Sequence, residues 1–380
     1  MLLPRLFDTD QHVTPPKDMW TSRMSKKKWG DLIPHIVTLP DGKEAWSFED
    51  GAILHLFGVE NVASIDPRKI TWRMNYEDIA PACFEPKARL EVMDVDGVGA
   101  GLLFPSVAGQ AAGIQHDELF VECLKTYNDG IWDWSELDRN RLIPTALIPN
   151  RDVETAMAEL ERVAKLGFRH YQFDGPPSGN PFPTAADDPF WALVEETGMV
   201  ISMHGGGRAG RRPKLAPGAY VPPKKVAAAP VRDQETVGIT RAGGLGVPTP
   251  LAALIFTGVM ERFPKLKIGL IETSAGWLPS YMDELDFIYT QNRWLGQQKL
   301  KRLPSEYVKQ VKISIDREIQ GVKYRHQIGV DNMMFGTDYP HVGVFWPHTR
   351  FYVDLLFQNV PEDETEKVLW SNAAALYGVA

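Results

Sequence analysis

Eight short apolar runs recur along the chain, and stretches with helical patterning separate most of them. The runs are rich in Val, Ile, Leu and Phe with little polar alternation, which is typical of parallel strands covered on both faces. This rhythm predicts an α/β fold, specifically a (β/α)₈ TIM barrel. An open doubly wound sheet is the alternative, but it often carries a glycine-rich turn after its first strand, which is absent here. The runs span residues 5–12, 99–107, 142–149, 168–175, 199–206, 266–275, 311–316 and 332–341.

The chain is longer than such a barrel requires. A (β/α)₈ barrel needs only about 250 residues, and the sequence has 380. We therefore expect one domain over residues 1–380 with insertions at about 13–80 and 207–248, after the first and fifth strands. Asp41 and Gly42 predict a small hairpin within the first insertion. The second is rich in Gly, Pro, Ala and basic residues.

Polar side chains end three of the predicted strands. Asp10 and His12 lie two residues apart in the first run and so share a face, His204 ends the fifth run, and Asp338 follows the eighth. The carboxyl ends of barrel strands form the face where such enzymes keep their active sites. Imidazole nitrogens and carboxylate oxygens together suit Zn²⁺, Mn²⁺ or Fe²⁺. Glycines 205–207 would let the backbone approach a metal or substrate closely.

Each of these residues also has a purely structural interpretation. A single histidine at a strand end is more often a hydrogen-bonded polar residue than a ligand, and a lone aspartate such as Asp338 more often caps a turn or helix. The coincidence of such residues at three strand ends on one face favours a metal site over these alternatives.

Further residues at the same face are candidates for catalysis and substrate binding. Glu272 ends the sixth run and could act as an acid or base, or serve as a structural carboxylate. His341 follows Asp338 by three residues and could bind substrate or orient Asp338, or cap a loop. Arg208, with Arg211 and Arg212, could bind a substrate carboxylate, although a basic loop is more often solvated or an oligomer contact.

Composition excludes several classes of partner. The net charge is −8, with 41 basic and 49 acidic residues, which argues against nucleic acid binding. No apolar run approaches the roughly 18 residues of a membrane span. The two cysteines form no CxxC pair, which fits a reducing compartment. We expect a cytoplasmic protein that acts on a small-molecule substrate and forms a homo-oligomer, a dimer or higher.

Motifs spread over nearly the whole chain resemble the amidohydrolase superfamily. They are "DTDQHVTPPKDMW", "RLEVMDVDGV", "LFPS", "RLIPTALIP", "LGFRHYQF", "DPFWALVEETGMVISMHGGG", "FPKLKIGLIETSAGWLPSYMDELD", "MMFGTDYPH" and "NAAALYG". The resemblance is to the amidohydrolase-related branch, which includes the aminocarboxymuconate semialdehyde, γ-resorcylate and 5-carboxyvanillate decarboxylases. It implies a mostly mononuclear site, with Zn²⁺ as the expected ion and Mn²⁺ or Fe²⁺ as alternatives. It also implies that Asp338 exchanges a proton with bound water or substrate. The implied metal ligands are Asp10, His12, His204 and Asp338.

The sequence departs from this branch at two positions. Thr273 stands where the decarboxylases commonly carry a catalytic histidine, with Glu272 beside it. Thr14 stands where many relatives carry glutamate. The first departure weakens the decarboxylase interpretation.

Three hypotheses about function follow. The first is a metal-dependent hydrolase that cuts an amide, ester, lactone or activated C–C bond through a metal-activated water. The second is a non-oxidative decarboxylase of an aromatic or unsaturated carboxylic acid. The third is a non-catalytic or oxygen-using partner subunit on the same fold.

Overall fold

The computed structural model describes residues 5–63, 73–205, 247–292 and 300–379. These residues form two sheets and a set of surrounding helices. The strands are β1 Leu6–Val13, β2 His35–Thr38, β3 Glu44–Phe48, β4 Ile53–Leu56, β5 Val98–Pro105, β6 Leu142–Pro144, β7 Ala146–Leu147, β8 His170–Gln172, β9 Val200–His204, β10 Lys267–Ile271, β11 Lys312–Ile315 and β12 Met333–Phe335.

The larger sheet has the strand order of a barrel. Its strand order is β6-β5-β1-β12-β11-β10-β9-β8-β7, and the pairs with a recorded register are parallel. The two ends of this order, β6 and β7, belong to one stretch of chain interrupted only at Thr145. The order is therefore cyclic, and the eight predicted runs supply all nine strands, the third run contributing both β6 and β7. The predicted (β/α)₈ barrel is confirmed.

Helices follow most of the barrel strands. Asp152 caps the helix Val153–Leu166, because its side chain accepts a hydrogen bond from the Thr155 amide at 2.8 Å. Gly167 ends that helix with a φ of 111°. Among the described helices, none combines the length and apolar character needed to span a bilayer. The helices are α1 Lys26–Trp29, α2 Pro86–Asp96, α3 Asp117–Trp134, α4 Val153–Leu166, α5 Asp188–Thr197, α6 Pro248–Phe256, α7 Val259–Arg262, α8 Leu278–Asn292, α9 Pro304–Val308, α10 Ile319–Lys323, α11 Arg325–Ile328, α12 Thr349–Leu356, α13 Glu362–Glu366 and α14 Asn372–Tyr377.

The first predicted insertion carries the smaller sheet. Strands β2, β3 and β4 pair antiparallel, and the predicted hairpin joins the first two. In its turn the Leu39 amide donates to the Lys43 carbonyl at 2.6 Å. The segment after β4 packs back on the barrel mouth, since the Val62 and Ala63 amides both donate to the Pro340 carbonyl. The second predicted insertion, 207–248, lies outside the described residues except for its last two positions.

A series of buried, hydrogen-bonded polar side chains crosses the barrel interior on the side of the C-terminal helix. His170 Nδ1 lies 3.0 Å from Ser202 Oγ, and His170 Nε2 lies 3.3 Å from Thr145 Oγ1. Ser202 Oγ is also 3.3 Å from the hydroxyl of Tyr377, on the last helix. The C-terminal helix thus covers the end of the barrel opposite the strand carboxyl ends.

His170 should make the fold sensitive to acid. Burial lowers the pKa of His170 to about 3, whereas an unfolded histidine titrates near about 6.5. The folded state therefore binds this proton less readily, and its contribution to stability is lost as the pH falls below the unfolded pKa, by at most about 1.4 kcal/mol per pH unit. Urea unfolding at pH 7 and pH 5 should show a smaller pH dependence for His170→Asn than for the wild type. An equal change in the free energy of unfolding between pH 7 and pH 5 in the two proteins would contradict this expectation.

Candidate metal centre

The site lies where three neighbouring or facing strands end. Asp10 and His12 belong to β1, His204 is the last residue of β9, and Asp338 follows β12 by three residues. Asp338 has a φ of 63°, a left-handed conformation uncommon for residues with a side chain. Its amide donates to the Asp10 carbonyl at 2.8 Å, which fixes this turn against the first strand. The backbone therefore sets the position of both aspartates.

The structure brings the four predicted ligands together. His204 Nε2 lies 3.1 Å from Asp10 Oδ1, and His12 Nε2 lies 3.3 Å from the same oxygen. His12 Nε2 is also 3.4 Å from Asp338 Oδ1. The imidazole rings of His12 and His204 meet edge to face, with centroids 5.0 Å apart. Four nitrogen and oxygen donors thus surround one small, almost fully buried volume.

This donor set fits a divalent metal ion. Asp10, His12 and His204 each offer a ligand atom, and these atoms lie within 4.8 Å of one another; so do those of His12, Asp338 and His341. Within the described part of the chain, Asp10 Oδ2, His12 Nδ1 and His341 Nε2 are buried and have no hydrogen-bond partner. Buried polar atoms without partners are costly, and a cation with its bound ligands would satisfy such a cluster.

Electrostatics at the site follow from this crowding. Burial alone would raise the pKa of Asp338, but His341 and His12 outweigh it and hold that pKa below its ordinary value. Burial would lower the pKa of His12, yet the Asp10 and Asp338 carboxylates raise it to about 9. A protonated His12 would therefore compete with a metal ion for the place beside these carboxylates.

His341 and Glu272, the other predicted catalytic residues, also lie at the site. His341 Nδ1 is 2.5 Å from Asp338 Oδ1, and its ring stacks on His12 with centroids 3.9 Å apart. Glu272 Oε2 is 3.5 Å from His204 Nδ1. Glu272 has a φ of 53°, and its amide donates to Ser314 Oγ at 3.1 Å. Each also offers a ligand atom within 4.8 Å of those of two predicted ligands, His341 with His12 and Asp338, and Glu272 with Asp10 and Asp338. Either side chain could therefore contact a bound ion or orient one of its ligands.

The sequence analysis also singled out three arginines and two threonines. Arg208, Arg211 and Arg212 lie outside the described residues. Thr273 is buried and its hydroxyl donates to the Ser274 carbonyl at 3.2 Å. Thr14 is buried and hydrogen-bonded to Asn61.

Two buried aspartates at the site escaped the sequence analysis. Asp316 follows β11, and burial together with the nearby Asp10 raises its pKa well above the ordinary range. Asp8 accepts hydrogen bonds from the Thr337 amide at 2.8 Å and from the Asp10 amide at 3.1 Å. Asp8 thereby ties the first strand to the segment that carries Asp338. Asp316 had the same signal as the predicted residues, an aspartate at a strand end, whereas Asp8 lies within the first apolar run.

The structure explains why the first residue after His204, Gly205, is a glycine. Its amide donates to the Ile271 carbonyl at 2.6 Å, and a Cβ atom there would collide with the backbone oxygen of Glu272. We expect Gly205→Ala to shift His204 and to weaken metal affinity by about tenfold or more, as loss of ligand orientation does. Metal titration of the apo-protein measures this. Gly109→Ala, where a Cβ would meet nothing within 4 Å, is the control; equal affinities of the two variants would contradict the expectation.

We compared the chain with curated proteins and with solved structures. A comparison with curated proteins finds no match. Among solved structures, an amidohydrolase of Mycobacterium avium subsp. paratuberculosis K-10 aligns with a TM-score of 0.73 at 19% identity over 100% of both chains. The 5-carboxyvanillate decarboxylase of Sphingomonas paucimobilis aligns with a TM-score of 0.67 at 20% identity over 99% of both chains.

A third solved structure holds a metal ion. The dihydroxybenzoic acid decarboxylase of Polaromonas sp. JS666, with bound manganese and the inhibitor 2-nitroresorcinol, aligns with a TM-score of 0.61 at 19% identity, over 99% of this chain and 97% of that one. These similarities concern the fold. The family model described as amidohydrolase matches residues 7–379. With nearly its whole length matched, the chain belongs to this amidohydrolase family.

Proposed function

We propose that this protein is a metal-dependent lyase that removes CO₂ from a small aromatic or unsaturated carboxylic acid. The observation that carries the proposal is that the buried donor cluster adjoins a largely apolar cavity of about 420 Å³, with His204 in its wall. A cavity of this kind suits a flat, mostly apolar ligand whose charged end contacts the metal-ligating side chains. The sequence ranked a hydrolase first, but the decarboxylases among the solved structures of this fold favour the lyase.

The donor set would hold one divalent ion between Asp10, His12, His204 and Asp338. When bound, this ion supplies positive charge that anchors substrate oxygens and withdraws electrons from the carbon that loses CO₂. The sequence favoured Zn²⁺, but the manganese in the Polaromonas decarboxylase makes Mn²⁺ the first ion to test.

The chain's own side chains would manage the proton. When the C–CO₂ bond breaks, its electron pair stays on the substrate carbon, which must then accept one proton. His341 Nδ1 and Asp338 Oδ1 lie 2.5 Å apart, so a proton held by this pair could be delivered to that carbon. The Gly205 carbonyl, 2.7 Å from His204 Nδ1, orients that imidazole, and Glu272 lies 3.5 Å from the same nitrogen.

A hydrolase is the second candidate, and Glu272 with Thr273 is the observation that favours it. A carboxylate stands beside the position where the decarboxylases commonly carry a histidine, and a second carboxylate could assist attack by water.

Metal analysis is the first measurement. We expect the purified protein to retain about one divalent transition metal per chain, as closed sets of nitrogen and oxygen ligands do. Elemental analysis after expression in manganese- and zinc-supplemented media gives the stoichiometry. A folded protein that takes up neither ion would remove the basis of the proposal.

The reaction itself separates the two candidates. The manganese-loaded protein should release CO₂ from at least one member of a panel of hydroxybenzoates and unsaturated acids, and in D₂O the product should carry deuterium at the carbon that lost CO₂. Turnover of amides, esters or lactones without CO₂ release would overturn the lyase and support the hydrolase.

A further inference from the structure

The cavity beside the donor cluster has a mostly apolar wall, which also contains the carboxyl group of Asp174. Among the described residues, Phe173, Phe182, Met203 and Val247 contribute much of its surface, together with His204 on the side of the metal ligands. A ligand that filled this cavity would touch His204 at one end and these apolar side chains along its length.

Asp174 lines the same cavity and faces the barrel interior. The β8–β9 ladder pairs Gln172 with Ser202, and the Phe173 amide extends it by donating to the Ser202 carbonyl at 2.9 Å. His170 faces inward, since its ring contacts Ser202 Oγ, and alternation along a strand puts Gln172 and Asp174 on the same face. Gln172 Nε2 indeed donates to Asp174 Oδ1 at 2.8 Å.

The carboxyl group of Asp174 has capacity left for a ligand. Its Oδ1 accepts from Gln172, whereas within the described ranges no protein donor reaches Oδ2. Asn150 Nδ2 donates to the Asp174 carbonyl at 2.9 Å, which fixes the backbone without using the carboxyl group. Burial raises the pKa of Asp174 to about 6. Asp174 is partly exposed, so a ligand that filled the cavity would displace water from this oxygen, which is costly unless the ligand supplies a donor of its own.

We propose that Asp174 selects substrates that carry an O–H or N–H donor on the part of the molecule that lies in the cavity, apart from the reacting carboxylate. The inference rests on the proposed function, because that function places the carboxylate at the donor cluster and the rest of the molecule in the cavity. Sites built to hydrogen-bond such a group discriminate strongly against analogues that lack it.

Binding of matched ligands tests this without relying on turnover. Calorimetry with the manganese-loaded protein would compare benzoates that carry hydroxyl, amino or methyl groups at the 3- or 4-position. The methyl group matches the donors in size, so a difference reports the hydrogen bond. We expect the wild type to bind the best donor ligand at least tenfold more tightly than its methyl analogue, and Asp174→Leu to lose or reverse this preference.

Two further variants separate selection from general damage. Asp174→Asn retains the shape and one accepting oxygen, so it should keep part of the preference. Asn180→Leu removes another polar group from the wall of the same cavity and should leave the preference intact. A preference that is equal in the wild type and Asp174→Leu, or no binding by any benzoate, would overturn the inference. CO₂ release is measured separately, so failure of the lyase proposal would show there and not in the ligand preference.

Discussion

His204→Ala is expected to abolish turnover while leaving the barrel folded. The imidazole lies at the strand end, 3.1 Å from Asp10 Oδ1, and would supply one of the nitrogen ligands. Loss of an outer partner of a metal ligand typically costs 10- to 100-fold in affinity, so loss of the ligand itself should exceed about 100-fold. Packing should change little, because the strand below it, Val200–Met203, keeps its buried apolar side chains.

Three measurements on the same preparation check this expectation. Elemental analysis should show depleted metal, steady-state assays should show no turnover, and urea unfolding of the apo-proteins should differ by no more than about 1 kcal/mol. His326→Ala is a matched control, since that histidine lies on the surface in α11 and pairs with Glu364 at 2.8 Å. Near-normal kcat in His204→Ala with metal supplied would make His204 a structural residue.

The barrel could be predicted because parallel strands covered on both faces leave continuous apolar runs in the sequence. One feature was not predictable in the same way. The third run divides at Thr145 into β6 and β7, and Pro144, at the end of β6, has no amide hydrogen to continue the ladder. The apolar pattern runs through this break, so hydrophobicity alone shows one strand where the hydrogen bonding has two.

The site was partly predictable for a similar reason. Asp10, His12, His204 and Asp338 are polar residues at the ends of apolar runs, and closure of the barrel brings such ends together. Asp316 ends its strand in the same manner, yet the sequence does not reveal that its side chain turns inward toward Asp10. Asp174 required the observed strand register and the hydrogen bond from Gln172. The docking of the first insertion on Pro340 depends on backbone hydrogen bonds, which leave no signature in side-chain type.

Asp338→Asn should differ in kind from His204→Ala. Asparagine keeps the shape and one oxygen that can still contact a metal ion, and it tolerates the left-handed backbone at this position. It cannot accept a proton, and it cannot hold His341 as the carboxylate does at 2.5 Å. We therefore expect partial metal retention with kcat lowered by about 100-fold or more, the usual size of a general acid–base contribution.

The measurement must separate loss of metal from loss of chemistry. Metal content and kcat are determined on one preparation at saturating manganese, so that the rate per bound ion can be compared with the wild type. Asp331→Asn, an exposed aspartate that pairs with Lys367 at 2.7 Å, serves as the matched control and should keep both values. If Asp338→Asn bound manganese fully and turned over at the wild-type rate, Asp338 would be a ligand only. The proton would then have to come from another group at the site. His341 would be the first of these to replace by mutation.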